Sequence, residues 1–148
     1  MQLKKPLIAI IFILFFISCK KASNENNPSG NTTVETGVYI GKLDNFNSRQ
    51  TVNQFNIQLN KIDENNYKVS QIDIGGVPEI MMEVKSNTSG SVFFRIPTQT
   101  YQGKTFSGTG GVSGGFDAVY FSSLKSIYFG IAYTDTPNMT IMFNGNKK

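Results

Sequence analysis

The stretch Gln54-Phe55-Asn56-Ile57-Gln58-Leu59-Asn60 decides the fold class. Large apolar side chains alternate there with amide side chains, and a period of two is typical of a strand with one buried face. No segment of helical length shows a 3.6-residue period. We therefore predict an all-β domain with about eight strands. The other seven predicted strands lie within residues 38–43, 67–74, 80–84, 92–96, 116–121, 127–133 and 139–143.

Short polar turns separate these segments, for example residues 63–66, 86–90 and 135–138. Such short connections favour antiparallel neighbours. Two architectures satisfy this pattern, a closed up-and-down barrel and a β-sandwich. The inward phase shifts by one residue between Val69 and Ile72, which predicts a β-bulge there.

The first strand also carries a resemblance to a known family. The residues Gly37-Val38-Tyr39-Ile40-Gly41-Lys42-Leu43 resemble the G-x-Y-x-G-x-L strand of the calycin-like, or lipocalin-like, domains of Bacteroidota lipoproteins. The glycine-rich passage 108–115, followed by a hairpin through Tyr133, is similar to the last third of those domains. The resemblance covers residues 37–146 and implies an eight-stranded antiparallel barrel. It implies a fold and no particular activity.

The N-terminal residues have the layout of a bacterial lipoprotein signal. Lys4 and Lys5 precede an apolar run from Pro6 to Ile17, and Ser18-Cys19 follows it. The run is shorter than the roughly 20 apolar residues of a spanning helix, so it indicates a cleaved signal peptide. Cys19 is the single cysteine of the chain, and Phe16-Ile17-Ser18-Cys19 resembles the lipobox of lipoprotein signals. The resemblance implies that Cys19 is lipidated.

Three segments follow from this interpretation. We predict a cleaved signal peptide over 1–18, a lipidated Cys19 with a flexible tether over 19–36, and the β domain over 37–148. Two or three acyl chains on Cys19 would anchor the protein durably in a membrane. Lys20, in place of an aspartate, argues against retention in the inner membrane. The expected location is therefore the outer membrane, in either its periplasmic or its surface leaflet.

The composition excludes several classes of function. The chain has no histidine, the commonest general base and metal ligand, and its one cysteine is assigned to lipid. Asp73 and Asp117 are the two carboxylates flanked by apolar residues, and their spacing shows no catalytic pair. The formal charge of +4 comes mainly from lysines near the two ends, and nucleic-acid binding needs a clustered basic face. We expect no catalysis, no metal, no cofactor and no nucleic-acid partner.

Two functions of different classes remain. In the first, the barrel binds a small lipophilic ligand, and the expected inward lining is Phe55, Ile57, Leu59, Phe94, Phe129 and Ile131. In the second, the interior is filled with side chains and outward aromatic residues bind a protein or another envelope partner. Phe93, Tyr120 and Tyr128 are the expected contacts in that case. An eight-stranded barrel is compatible with both, because its bore is wide enough for side chains or for one ligand.

Overall fold

The computed structural model describes residues 31–73, 77–136 and 139–148. The predicted signal peptide, Cys19 and the tether as far as residue 30 lie outside the described residues. The described part is all-β. Its strands are β1 (Gly37–Asn45), β2 (Gln50–Lys61), β3 (Asn66–Gln71), β4 (Ile80–Thr88), β5 (Ser91–Arg95), β6 (Gln99–Tyr101), β7 (Lys104–Gly108), β8 (Ala118–Phe121), β9 (Ser126–Tyr133) and β10 (Thr140–Lys147).

The strands form one antiparallel sheet that closes on itself. Eight of them pair in the ring order β1-β2-β3-β4-β5-β8-β9-β10, and β10 returns to β1. This closure confirms the predicted eight-stranded up-and-down barrel, and the β-sandwich alternative is wrong. β1 and β10 approach closely where Gly41 faces Gly145. A β-carbon on Gly41 would clash with the backbone of Asn144, so the closing pair requires glycine there.

The alternation in the sequence fills the inside of the ring. Inward residues from every strand of the barrel form one apolar core, while the intervening residues face outward. Two ring pairs illustrate the packing, Tyr67 with Phe94 at 5.5 Å and Phe129 with Phe143 at 5.3 Å between centroids. The largest fully buried side chains are Tyr39, Tyr120, Phe94, Phe106, Phe129, Phe143, Ile57, Leu59, Ile80, Met82, Ile127 and Ile131.

The hairpin of β6 and β7 was not predicted from the sequence. β9 pairs first with β8 and then, from Ile131 to Tyr133, with β7. The hairpin therefore extends the barrel wall past the end of the short strand β8. The side-chain amide of Gln99 joins the hairpin to β4. It accepts the Met81 N–H at 2.8 Å and donates to the Met81 carbonyl at 3.1 Å, as a backbone neighbour would.

The bulge predicted between Val69 and Ile72 is wrong. β3 pairs regularly with β2 through Gln71, and the exposed Ile72 lies beyond the end of the strand. Register shifts occur instead in β2, opposite the step from Gly41 to Leu43, and in β4 between Val84 and Ser86. The apparent change of phase in the sequence marks the end of β3 and is not a bulge within the strand.

The barrel has two distinct ends. We call the end where residues 31–36 lead into β1 the entry end. The opposite end, with the loop 46–49 between β1 and β2 and the start of β4 at Ile80, is the far end. At the entry end, residues 32–35 form a strap that packs on the barrel. Val34 is buried in the core, and Thr32 exchanges hydrogen bonds with Asn87 and with the Thr88–Gly90 turn. The ordered domain therefore begins before Gly37, inside the segment predicted as tether.

Candidate interaction surface

The residues predicted to line a ligand site all point into the barrel. Each of the six predicted lining residues is at least 98% buried, which confirms their inward orientation. They are in the same core as the other inward side chains and fill the bore rather than surround a space. Among the described residues, the clefts beside Tyr133 and beside Phe116 are grooves open to the surface.

The outward aromatic residues are distributed differently from the prediction. Phe93 and Tyr128 face outward and are half-buried, as expected. Tyr120 is wrong as a surface contact, because it is fully buried and Phe121 is the exposed ring of that pair. The register explains the correction: Ala118 pairs with the inward Phe94, so Ala118 and Tyr120 face the interior and Val119 and Phe121 face outward.

An apolar strip crosses the outside of the barrel, and we call it the aromatic wall. It consists of Phe93 on β5, Val119 on β8, Tyr128 on β9 and the neighbouring Phe116. Phe93 pairs with Val119, and Val119 pairs with Tyr128. The rings of Phe93 and Phe116 lie 5.0 Å apart. Val119 is only 1% exposed although it faces outward, which shows that neighbouring groups cover it.

Charged residues border the aromatic wall beside Phe116. A surface groove of about 540 Å³ is lined by Phe116, Pro97, Glu83, Lys85 and Arg95. The Lys85 ammonium pairs with the Glu83 carboxylate at 2.6 Å. Arg95 is exposed and forms no salt bridge with an acidic side chain among the described residues. The groove therefore offers an unpaired guanidinium next to an aromatic ring.

The opposite side of the barrel has a different chemistry. In the regularly alternating second half of β2, the outward residues are the amides Asn56, Gln58 and Asn60. Amide side chains remain solvated at little cost, whereas an apolar surface bordered by polar groups often marks a contact site. The aromatic wall is thus a local departure from the usual polar exterior of a small barrel.

Three members of this surface were not predicted from the sequence: Val119, Phe116 and Arg95. A signal was present in Phe116-Asp117-Ala118-Val119-Tyr120-Phe121, where apolar residues occupy both phases. Such a run indicates a strand that is covered on both faces. The predicted outward contacts came from adjacent aromatic pairs such as Phe93-Phe94, and Phe116, Val119 and Arg95 belong to no such pair.

The two carboxylates singled out in the sequence hold the backbone in place. Asp117, 4% exposed, accepts the Ile96 N–H at 2.8 Å and the Gly110 N–H at 2.6 Å. Asp73 accepts the backbone and side-chain N–H groups of Asn56, and the side-chain bond is the main reason why the pKa of Asp73 is lowered. In the described ranges, no three side chains of His, Cys, Asp or Glu are grouped as a metal site.

Comparisons with known proteins give no relative. No protein-family model, no curated protein and no solved structure matches the chain. The resemblance to calycin-like domains accordingly stays a prediction. In the part of the chain that the structure describes, no helix is long and apolar enough to cross a membrane.

Proposed function

We propose that the protein is a lipid-anchored, non-catalytic binding protein of the outer membrane that holds an envelope protein on its aromatic wall. The observation that carries this proposal is the filled interior. The six residues expected to line a ligand site are buried against one another, so the described barrel offers no bore for a lipophilic ligand. We therefore assign binding to the outer surface of the barrel.

The position of the entry end supports a tethered orientation. The strap leads the chain into the barrel at the entry end, beside the turns between β4 and β5 and between β8 and β9. If Cys19 carries lipid, about a dozen residues separate the bilayer from the strap. The entry end would then be the membrane-proximal end, and the aromatic wall would stand roughly upright on the side of the barrel. A partner in the same envelope could reach it laterally.

The chemistry of the wall indicates what the partner presents. Half-buried rings of Phe93, Phe116 and Tyr128 offer apolar contact area with little loss of side-chain entropy. Arg95 offers a fork of donors that matches a carboxylate. We therefore expect the partner to contribute an apolar side chain flanked by an aspartate or glutamate.

Photo-crosslinking in the producing cells tests this function. A benzophenone amino acid replaces Tyr128 in the full chain, and in a matched control it replaces Gln58 on the amide side of the barrel. We expect one discrete protein adduct from position 128 and none from position 58. The adduct should be lost when the same chain also carries Phe93→Ser or Arg95→Glu, because these changes remove the apolar contact and the guanidinium.

Two results would refute the proposal. One is an equal set of adducts from positions 128 and 58, which would indicate random collisions. The other is the absence of any adduct from position 128 in chains that circular dichroism shows to be folded and that fractionate with the outer membrane.

A further inference from the structure

The entry end of the barrel exposes an aliphatic side chain at each of two turns. Leu124, in the turn between β8 and β9, is 67% exposed, and Ile62, in the turn between β2 and β3, is 53% exposed. Each is adjacent in the chain to an exposed lysine, Lys125 and Lys61 respectively. The order of the strands in the ring places the two turns on opposite sides of this end. The entry end therefore presents two similar tips, each with one aliphatic group beside one ammonium.

Hydrogen bonds hold both turns in shape. The Lys125 carbonyl accepts the Lys147 N–H at 2.8 Å, which fixes the β8–β9 turn to the end of β10. In the β2–β3 turn, the Asp63 carboxylate accepts the backbone N–H groups of Asn65 and Asn66, each at 2.9 Å. Because the turns are already ordered, their aliphatic tips lose little conformational entropy when they bind another surface.

The side of the entry end around the β8–β9 turn has an excess of positive charge. The Glu35 carboxylate contacts the ammonium groups of Lys125 at 3.1 Å and of Lys147 at 2.8 Å, and a single carboxylate offsets only one of these two charges. Lys148 adds a third lysine at this end, where its N–H bonds to the Val38 carbonyl at 2.9 Å. The opposite turn has one lysine and two acidic residues. The positive charge is thus concentrated beside the more exposed of the two tips.

The N-terminal part of the chain joins the domain at the same end. The Gly90 N–H donates to the Thr32 hydroxyl at 2.8 Å, which places the start of the described chain beside the β4–β5 turn. About a dozen residues separate Asn31 from the predicted lipid on Cys19. A random coil of that length spans roughly 20 Å, so the tether brings the entry end within reach of a bilayer but does not itself hold it in contact. Lasting contact needs a surface on the domain.

We infer that the entry end docks directly on an anionic lipid bilayer. Leu124 and Ile62 enter the boundary between the head groups and the acyl chains, where peripheral proteins bury apolar side chains. The lysines around the β8–β9 turn contact the lipid phosphates. The barrel then stands upright on the membrane and does not swing on its tether. This inference rests on the lipid anchor of the proposed function and is independent of the partner on the aromatic wall.

Tryptophan fluorescence tests the docking. The chain has no tryptophan, so Leu124→Trp gives the full chain a single indole. The full chain is purified from the membranes of the producing cells and reconstituted in vesicles of phosphatidylglycerol and phosphatidylcholine, with or without bromine on the acyl chains. Phe46→Trp is the matched control, because Phe46 is 59% exposed at the far end. We expect bromine to reduce the emission of Leu124→Trp at least about 2-fold and to leave that of Phe46→Trp unchanged.

Two further measurements separate the apolar contribution from the charged one. Ile62→Trp should also be quenched by bromine, and adding Leu124→Ser to that chain should reduce the quenching, because one of the two apolar contacts is then lost. Vesicles of neutral phosphatidylcholine alone should reduce the quenching of Leu124→Trp at least about 2-fold, because the lysines then have no anionic surface to contact.

Three results would overturn the inference: equal quenching of Leu124→Trp and Phe46→Trp, no quenching of Leu124→Trp, or quenching of Leu124→Trp that is as strong in neutral vesicles. Flotation of the same vesicles distinguishes the docking from the anchor. A chain that floats without quenching of Leu124→Trp refutes the docking and leaves the lipid anchor intact. A chain that does not float refutes both.

Discussion

Asp117 shows how one side chain can join three parts of a barrel wall. Its carboxylate bonds to the N–H groups of Ile96, after β5, and of Gly110, after β7, while its own backbone precedes β8. The carboxylate also fills the space beside Gly108, where a β-carbon would collide with it. The sequence marked Asp117 as unusual because of its apolar flanks. The contacts explain it as a structural hydrogen-bond acceptor.

Replacing this carboxylate by an amide should destabilise the fold. Asp117→Asn keeps the shape but presents an NH₂ group to one of the two backbone N–H donors, which leaves that donor buried and unpaired. We expect the free energy of unfolding to fall by about 1–3 kcal/mol. Urea denaturation followed by circular dichroism measures the change. The exposed Glu64→Gln serves as control and should alter stability by less than about 0.5 kcal/mol. Equal stability of the two variants would contradict the role of Asp117.

At the scale of the elements, alternation made the barrel strands predictable. The β6–β7 hairpin and the strap were not predictable, because their sequences carry no such pattern. The hairpin of β6 and β7 is short, and its docking depends on Gln99, a residue with no distinctive pattern in the sequence. The strap is rich in threonine, and Val34 is its only aliphatic residue, so its composition is that of a tether. Its order comes from hydrogen bonds with β4 and the following turn, more than fifty residues away.

We therefore expect Gln99 to contribute more to the stability of the fold than its half-buried position indicates. In a regular sheet Met81 would pair with the β5 edge, but the register places Pro97 opposite it, and proline has no N–H. Gln99→Leu removes both bonds to Met81. We expect a loss of about 1–3 kcal/mol in stability and faster amide hydrogen exchange at Met81. The exposed Gln102→Leu is the control. Unchanged exchange at Met81 in Gln99→Leu would show that the amide bridge is not needed.

The strap should respond to acid through Glu35. Its carboxylate bonds to Lys147 at 2.8 Å and to Lys125 at 3.1 Å, in that order of importance, and its pKa is lowered from the ordinary 4.5. A lowered pKa in the folded state stabilises the fold above the ordinary value, and this contribution is lost as the pH falls through the folded-state pKa. The stability advantage of the wild type over Glu35→Gln should thus be constant near neutral pH and shrink below pH 4.5.

Urea denaturation from pH 3 to pH 7 tests this dependence. Lys147→Gln removes the stronger partner and should reduce the acid-dependent part of the difference. A difference between the wild type and Glu35→Gln that does not change over this range would mean that the ion pairs do not hold the strap.

For the whole molecule, the proposed binding on the outer surface depends on a filled barrel. The six lining residues predicted from the sequence do face inward, yet alternation is the same for a filled barrel and for one with a ligand. The two cases differ in the volume left free inside the barrel. That volume depends on how Phe94, Phe129 and their neighbours pack across the bore. The same limit applies to Tyr120, whose orientation follows from the pairing of β8 with β5 and from nothing in its own segment. A local sequence pattern carries no information about contacts between distant strands.

A titration of the wild-type chain with 1-decanol, followed by methyl NMR, tests the filled interior most directly. Ile57, Leu59 and Ile131 provide methyl groups deep in the core. A filled barrel predicts that these resonances stay in place up to the solubility limit of the alcohol. Saturable 1:1 shifts confined to these three residues would show that the bore accepts a lipophilic ligand and would contradict the account.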